Sequence, residues 1–122
     1  MRKDEANRSA RPSGAGADAA SRGLAQLDPL LQHRCRLGAC VLLGGAASMT
    51  FARLKALLDE TDGNLGANLR KLEDAGYLGV RKEFVDRKPT SWYALTPQGT
   101  RALRGHLAAL ETIIRSAKHN GG

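Results

Sequence analysis

Large apolar residues are missing from the first 23 positions apart from Met1, and then recur with a period that changes along the chain. In the next stretch Leu27, Leu30, Leu31, Leu37 and Val41 are broadly spread. Asp28 supplies a capping side chain and Pro29 a first-turn residue whose missing N–H costs nothing. This predicts a first helix from about Leu24–Asp28 to Leu43, ended by Gly44 and Gly45. Ser48-Met49-Thr50 is short enough for a connecting strand or the start of a second helix. From Thr50, Phe51, Leu54, Leu57 and Leu58 recur at spacings of three and four, as one face of a short amphipathic helix requires. After the polar break Asp59–Gly63, either Thr61 or Asp62 can cap a third helix over about residues 62–75, with Leu65, Leu69 and Leu72 inward. Gly76 stands where a left-handed residue closes such a helix.

Beyond Gly76 the period shortens. Tyr77, Leu78 and Val80 lead through Arg81-Lys82-Glu83 to Phe84-Val85, and β-formers resume in Thr90–Leu95, which predicts a hairpin with the basic tip Asp86-Arg87-Lys88-Pro89. Trp92 and Tyr93 point to opposite faces of it, and the inward one belongs to the core. Thr96 and Pro97 open a last helix running to about Lys118. Its Leu103, Leu107, Leu110, Ile114 and Ala117 are spaced 4, 3, 4 and 3, a heptad seam that needs a facing helix. The first helix is one candidate; a second copy of the chain is the favoured one.

The expected fold is therefore mostly α with a small β-hairpin wing: a helix-turn-helix followed by a wing, with N- and C-terminal helices available for dimerisation. Residues 24–122 form that domain, with the C-terminal dimerisation helix at about 97–118. Residues 1–23 are Ala-, Gly-, Ser- and Arg-rich and cannot offset the entropy of ordering, so a disordered tail is expected there. Its Arg2, Lys3, Arg8 and Arg11 suit weak phosphate contact.

Charge narrows the partners. The 122 residues carry a net charge of +7, and residues 24–122 alone hold 14 Lys and Arg against 9 Asp and Glu, a net of +5. A basic domain of this size favours polyanions, nucleic acid first. The longest apolar run, Leu37–Ala47, is about half a membrane span and is broken by glycines, and the first residues lack the apolar core of a secretory signal. No membrane partner is expected, and the cytoplasm is the expected location. Two cysteines are too few to staple a secreted domain.

The second helix of a helix-turn-helix must bury one face and show DNA a small, uncharged or basic one. Around the start of the third helix, Thr61, Asp62, Gly63, Asn64 and Ala67 are candidate contacts. Asn64 and Asn68, four apart, are the candidate base readers, since Asn pairs with N6 and N7 of adenine. Arg70 and Lys71 lie further along, where backbone contacts are expected. On the hairpin, Arg81 and Lys82 join Arg87 and Lys88, the two wing-tip candidates for phosphates or the minor groove. Double-stranded DNA and a second copy of the chain are the expected partners, with no cofactor and no metal; the sequence names no effector.

Two other readings use the same residues. His33, Cys35 and Cys40 are possible ligands of a metal or thiol-redox sensor, but on one straight helix Cys35 and Cys40 point about 140° apart, which leaves only a subunit-bridging site. A winged helix can also serve as a protein-interaction module without binding DNA. An enzyme is not expected: His33, His106 and His119 have no recognisable nucleophile or paired carboxylate, and no phosphate-binding glycine motif is present.

The strings Thr61-Asp62-Gly63-Asn64-Leu65, Asn68–Glu73 and Ala75-Gly76-Tyr77-Leu78, continuing in Lys82, Phe84-Val85, Arg87-Lys88-Pro89-Thr90 and Tyr93–Gly99, resemble a small branch of MarR-like winged helix-turn-helix transcription regulators. The resemblance covers a little over half the chain. It implies a dimeric cytoplasmic regulator with its third helix in the major groove and its wing on flanking backbone.

Overall fold

The structure, a computed structural model, describes residues 11–121, and side chains from residue 16 to residue 118. The tail expectation for residues 1–10, with Arg2, Lys3 and Arg8, lies outside the described residues. Among the described residues five α-helices and three strands follow one another: α1 (Arg11–Gln26), α2 (Arg34–Gly44), β1 (Met49–Thr50), α3 (Phe51–Leu58), α4 (Asp62–Asp74), β2 (Leu78–Val85), β3 (Lys88–Leu95) and α5 (Pro97–Gly121). Among the described residues no helix is long and apolar enough to cross a membrane. Two compact units result, residues 28–104 and the pair made by α1 with α5 from Gly105 on.

The single first helix expected from Leu24–Asp28 to Leu43 is divided. Asp28 does cap a helical start, its Oδ1 accepting from Leu30 N at 2.9 Å, but this start is a 3-10 turn over Pro29–Leu31. His33 then adopts an extended backbone and its Nδ1 accepts from Cys35 N at 3.1 Å, so a new helix begins at Arg34. Histidine is an uncommon cap, and nothing in the apolar spacing marks the break.

Within residues 28–104 the core gathers Leu31, Cys35, Ala39 and Cys40, Leu54 from α3, and Leu65, Leu69 and Leu72 from α4, all at most 1% exposed. Each buried leucine contributes about 1.5–3 kcal/mol relative to exposure. Leu103 of α5 also belongs to this core. The sheet is antiparallel in the order β1-β3-β2, with Leu78 opposite Leu95 at its base and Val85 opposite Lys88 at its end. The turn is therefore two residues, Asp86-Arg87, and the expected tip residues Lys88 and Pro89 belong to β3. Gly76, at φ +84, closes α4 as expected. The Tyr77 hydroxyl donates to Asp28 Oδ2, tying the start of this unit to the end of α4. Thr96 caps α5: its Oγ1 accepts from Gly99 N at 3.0 Å and donates to the Gly76 carbonyl at 2.6 Å.

In the other unit, helix extends from Arg11 where a disordered tail was expected to reach residue 23. The small residues that suggested disorder permit close packing. A Cβ built on Gly23 would lie 2.8 Å from Ile113 Cγ1 and 3.1 Å from the Ala109 carbonyl, so only glycine lets α1 approach α5 so closely. His106, Ala109 and Ser116 are buried on this side of α5, while Leu107 and Ile114 remain 41% and 51% exposed.

Candidate nucleic-acid interface

Helix α4 starts where Thr61, in extended backbone, accepts from Asn64 N through its Oγ1 at 3.1 Å. Asp62 in the first turn complements the helix dipole and pairs with Lys55 Nζ at 2.9 Å. With Leu65, Leu69 and Leu72 inward, the outward row consists of Gly63, Gly66, Ala67, Arg70, Lys71 and Asp74. Apart from the glycine itself, its chain neighbours and the adjacent helix backbone, no atom lies within 4 Å of the position a Cβ would take at Gly63 or Gly66. The first two turns thus show a nearly bare backbone and the Ala67 methyl, followed by two cations.

Asn68 departs from its expected place as a base reader. It is only 4% exposed; Arg36 Nη1 donates to its Oδ1 at 2.7 Å, and its Nδ2 donates to the Asn64 carbonyl at 2.8 Å. The reason is helical geometry: positions 65, 68, 69 and 72 follow the i, i+3, i+4, i+7 rule and form one inward stripe. Asn64 is exposed, but its amide donates to Glu60. Glu60 also receives Arg34 Nη1 at 2.7 Å, and the same guanidinium donates to the Leu58 carbonyl at 2.9 Å. Arg36 Nε reaches the Leu30 carbonyl at 2.7 Å. Arg34, Arg36 and Glu60 therefore hold the front of α4, a role sequence reading missed because the contacts of Arg34 with Leu58 and Glu60 and of Arg36 with Asn68 span 24 to 32 positions.

The hairpin separates its cations by face. Val80, Lys82 and Phe84 alternate on the side that carries Tyr93, Ser91 and Pro89. With Phe51, Gly66, Arg70 and Glu73 the inner part of this face lines a groove of about 300 Å³ between α4 and the sheet. Burial, then the nearby Glu73 carboxylate, pushes the Tyr93 hydroxyl above its ordinary range, so it stays protonated in this groove. Arg81 lies on the opposite face, paired with Glu83 at 2.5 Å and 5.6 Å from the Trp92 ring centroid. The expected DNA contact at Arg81 is thus on the side turned from α4. Among the described residues no ion pair engages Arg70, Lys71, Lys82, Arg87 or Lys88. Asp86 and Arg87 sit at φ 53 and 67, the left-handed region.

Cys35 and Cys40 are both fully buried, and burial, then Asp28, raises the Cys40 thiol to about 12. A thiol so disposed is a poor nucleophile and a poor sensor. Among the described residues no three His, Cys, Asp or Glu side chains are grouped to hold a metal ion.

The profile of a family described as a winged helix DNA-binding domain matches residues 35–114. An uncharacterized protein of Methanocaldococcus jannaschii is 31% identical over 72 residues, 59% of this chain and 78% of that protein. Among solved structures, a transcriptional regulator homologue protein from Pyrococcus horikoshii OT3 superposes with a TM-score of 0.66 at 29% identity, covering 70% of this chain and 85% of that one.

Proposed function

Because the chain belongs to the winged helix DNA-binding domain family, of the MarR-like kind, we propose that it regulates transcription by binding duplex DNA as a homodimer. Helix α4 enters the major groove and the β2–β3 wing follows the flanking backbone or minor groove. The observation that carries this reading is the row Gly63, Gly66 and Ala67, bare enough for close approach to base edges, continued by Arg70 and Lys71 and flanked by Lys82, Arg87 and Lys88 on the wing. Ala67 suits apolar contact with a thymine methyl, and Arg70 or Lys71 suits guanine or a phosphate. Thr61, Asp62 and Asn64 border the helix N-terminus, whose N–H groups not taken by the Thr61 cap favour a phosphate. Asn68 acts by positioning, through Arg36.

The dimer rests on α5. Leu107, Leu110, Ile114 and Ala117 keep the heptad spacing, and Leu107 and Ile114 are left substantially open once α1 has covered the other side. A two-fold interface built on this row presents two copies of α4 to half-sites about one helical turn apart. Such a regulator works in the cytoplasm, where bacterial-type chromosomal DNA lies.

Selection from a pool of duplexes with randomised centres, at near-physiological salt and with light scattering on the same sample, tests both parts. A palindrome with half-sites about 34–36 Å apart, recovered by a particle of twice the chain mass, is expected. A folded dimer that enriches no sequence would contradict DNA reading, and a monomer would contradict the α5 interface.

A further inference from the structure

Phe84 is 76% exposed, more than any other large apolar side chain among the described residues. A strand phenylalanine usually faces a core, and the alternation along β2 does put Phe84 on the same side as Leu78 and Val80. At this register, however, the hairpin has run past the domain, and Phe84 stands opposite Pro89, one pair short of the turn. Lys82 shares its face, and Arg87 and Lys88 follow at the turn. The outcome is an apolar pair on a basic finger, on the side of the hairpin that also borders α4. Membrane insertion and protein docking call for a broader apolar surface than one phenylalanine and one proline. A narrow apolar edge ringed by cations suits a groove with phosphate walls and stacked bases inside.

Building on the proposed DNA reading, we propose that Phe84, backed by Pro89, is a wedge that enters the minor groove and partly unstacks a base step while Lys82, Arg87 and Lys88 hold the phosphates on either side. Charge complementarity selects the occupant: the three cations have no ion-pair partner among the described residues. Selectivity at this position then comes from how readily a step unstacks, which favours pyrimidine–purine steps such as TA. The wing contributes sequence preference through deformability, without hydrogen bonds to base edges.

The test uses the full chain and duplexes about three helical turns long, taken from the randomised pool both before and after selection. The F84A variant is expected to bind the selected duplex roughly tenfold or more weakly, with an unchanged slope of log affinity against log salt. It should also bend the duplex less, read as energy transfer between its labelled ends. The F84W variant should keep the affinity, and its added indole emission, measured against wild-type protein in which Trp92 is the single tryptophan, should be quenched by DNA. Unchanged affinity and bending in F84A, together with unquenched F84W emission, would overturn the wedge while leaving DNA binding intact. Loss of self-association in F84A with DNA affinity per protomer preserved would overturn it in favour of a contact between copies. Failure of the wild-type chain to bind any duplex, even at low salt, would overturn the regulator reading itself and the wedge with it.

Discussion

Arg87 holds a backbone conformation, φ 67, that costs a residue with a Cβ about 1–2 kcal/mol and that two-residue hairpins usually assign to glycine. Keeping an arginine there trades stability for a cation at the tip. R87G is accordingly expected to raise the urea midpoint, by about 1 kcal/mol in stability, while weakening duplex binding at every sequence and flattening its salt dependence. A stability gain with unaltered binding would remove Arg87 from the interface. Asn68 makes the opposite case. N68A removes one of the two acceptors of Arg36 in a partly buried site, leaving the Leu30 carbonyl, and is expected to lower stability by about 1–3 kcal/mol without changing which sequences are selected. Altered base preference at full stability would restore Asn68 as a reader.

Helices and hairpin differ in how legible they were. The α3 and α4 spans, the Gly76 closure and the hairpin all follow from apolar period and turn chemistry, because each is fixed by local rules. What stayed hidden was one unusual local cap and the tertiary contacts. His33 breaks the first helix through a side-chain cap, and α1 forms because Gly23 lets it sit against α5, where composition alone argued for disorder. Likewise the seam loses Leu103 to the core of residues 28–104, while Leu107 and Ile114 stay open. The outward placement of Gly63, Ala67, Arg70 and Lys71 on α4 was readable from helical spacing. The inward turn of Asn68 and the tie of Arg81 to Glu83 and Trp92 depended on partners and strand faces that spacing had not resolved.

The open row on α5 gives a test independent of DNA. The double variant L107E/I114E is expected to sediment as a monomer with the residue 28–104 unit still folded, and to lose at least about tenfold in affinity for a two-half-site duplex while keeping affinity for one half-site. A dimer that survives both glutamates would place the interface elsewhere. Between the ends of the winged unit, the Tyr77–Asp28 tie sets a pH limit. That hydrogen bond, first, and burial, second, raise the Tyr77 hydroxyl from 10.0 to about 12. A raised value in the folded state means stability that is complete below about pH 10 and lost as pH climbs through about 12. Y77F is therefore expected to be less stable than wild type near pH 8, by about 1 kcal/mol, with the difference vanishing in strong alkali. A difference that persists unchanged there would separate Tyr77 from alkaline unfolding.

Charge unites these features. A basic chain whose Arg70, Lys71, Lys82, Arg87 and Lys88 make no ion pair among the described residues, on a fold shared with a transcriptional regulator homologue, is suited to phosphates. Its association should therefore carry the thermodynamic mark of counterion release. The decisive measurement is the affinity of wild type and R87A/K88A for the selected duplex across a range of salt. Wild type is expected to show a steep negative slope, and the variant a slope shallower by about two per protomer with weaker binding to all sequences. Identical slopes and affinities for the two proteins would contradict a DNA interface made by α4 and this wing.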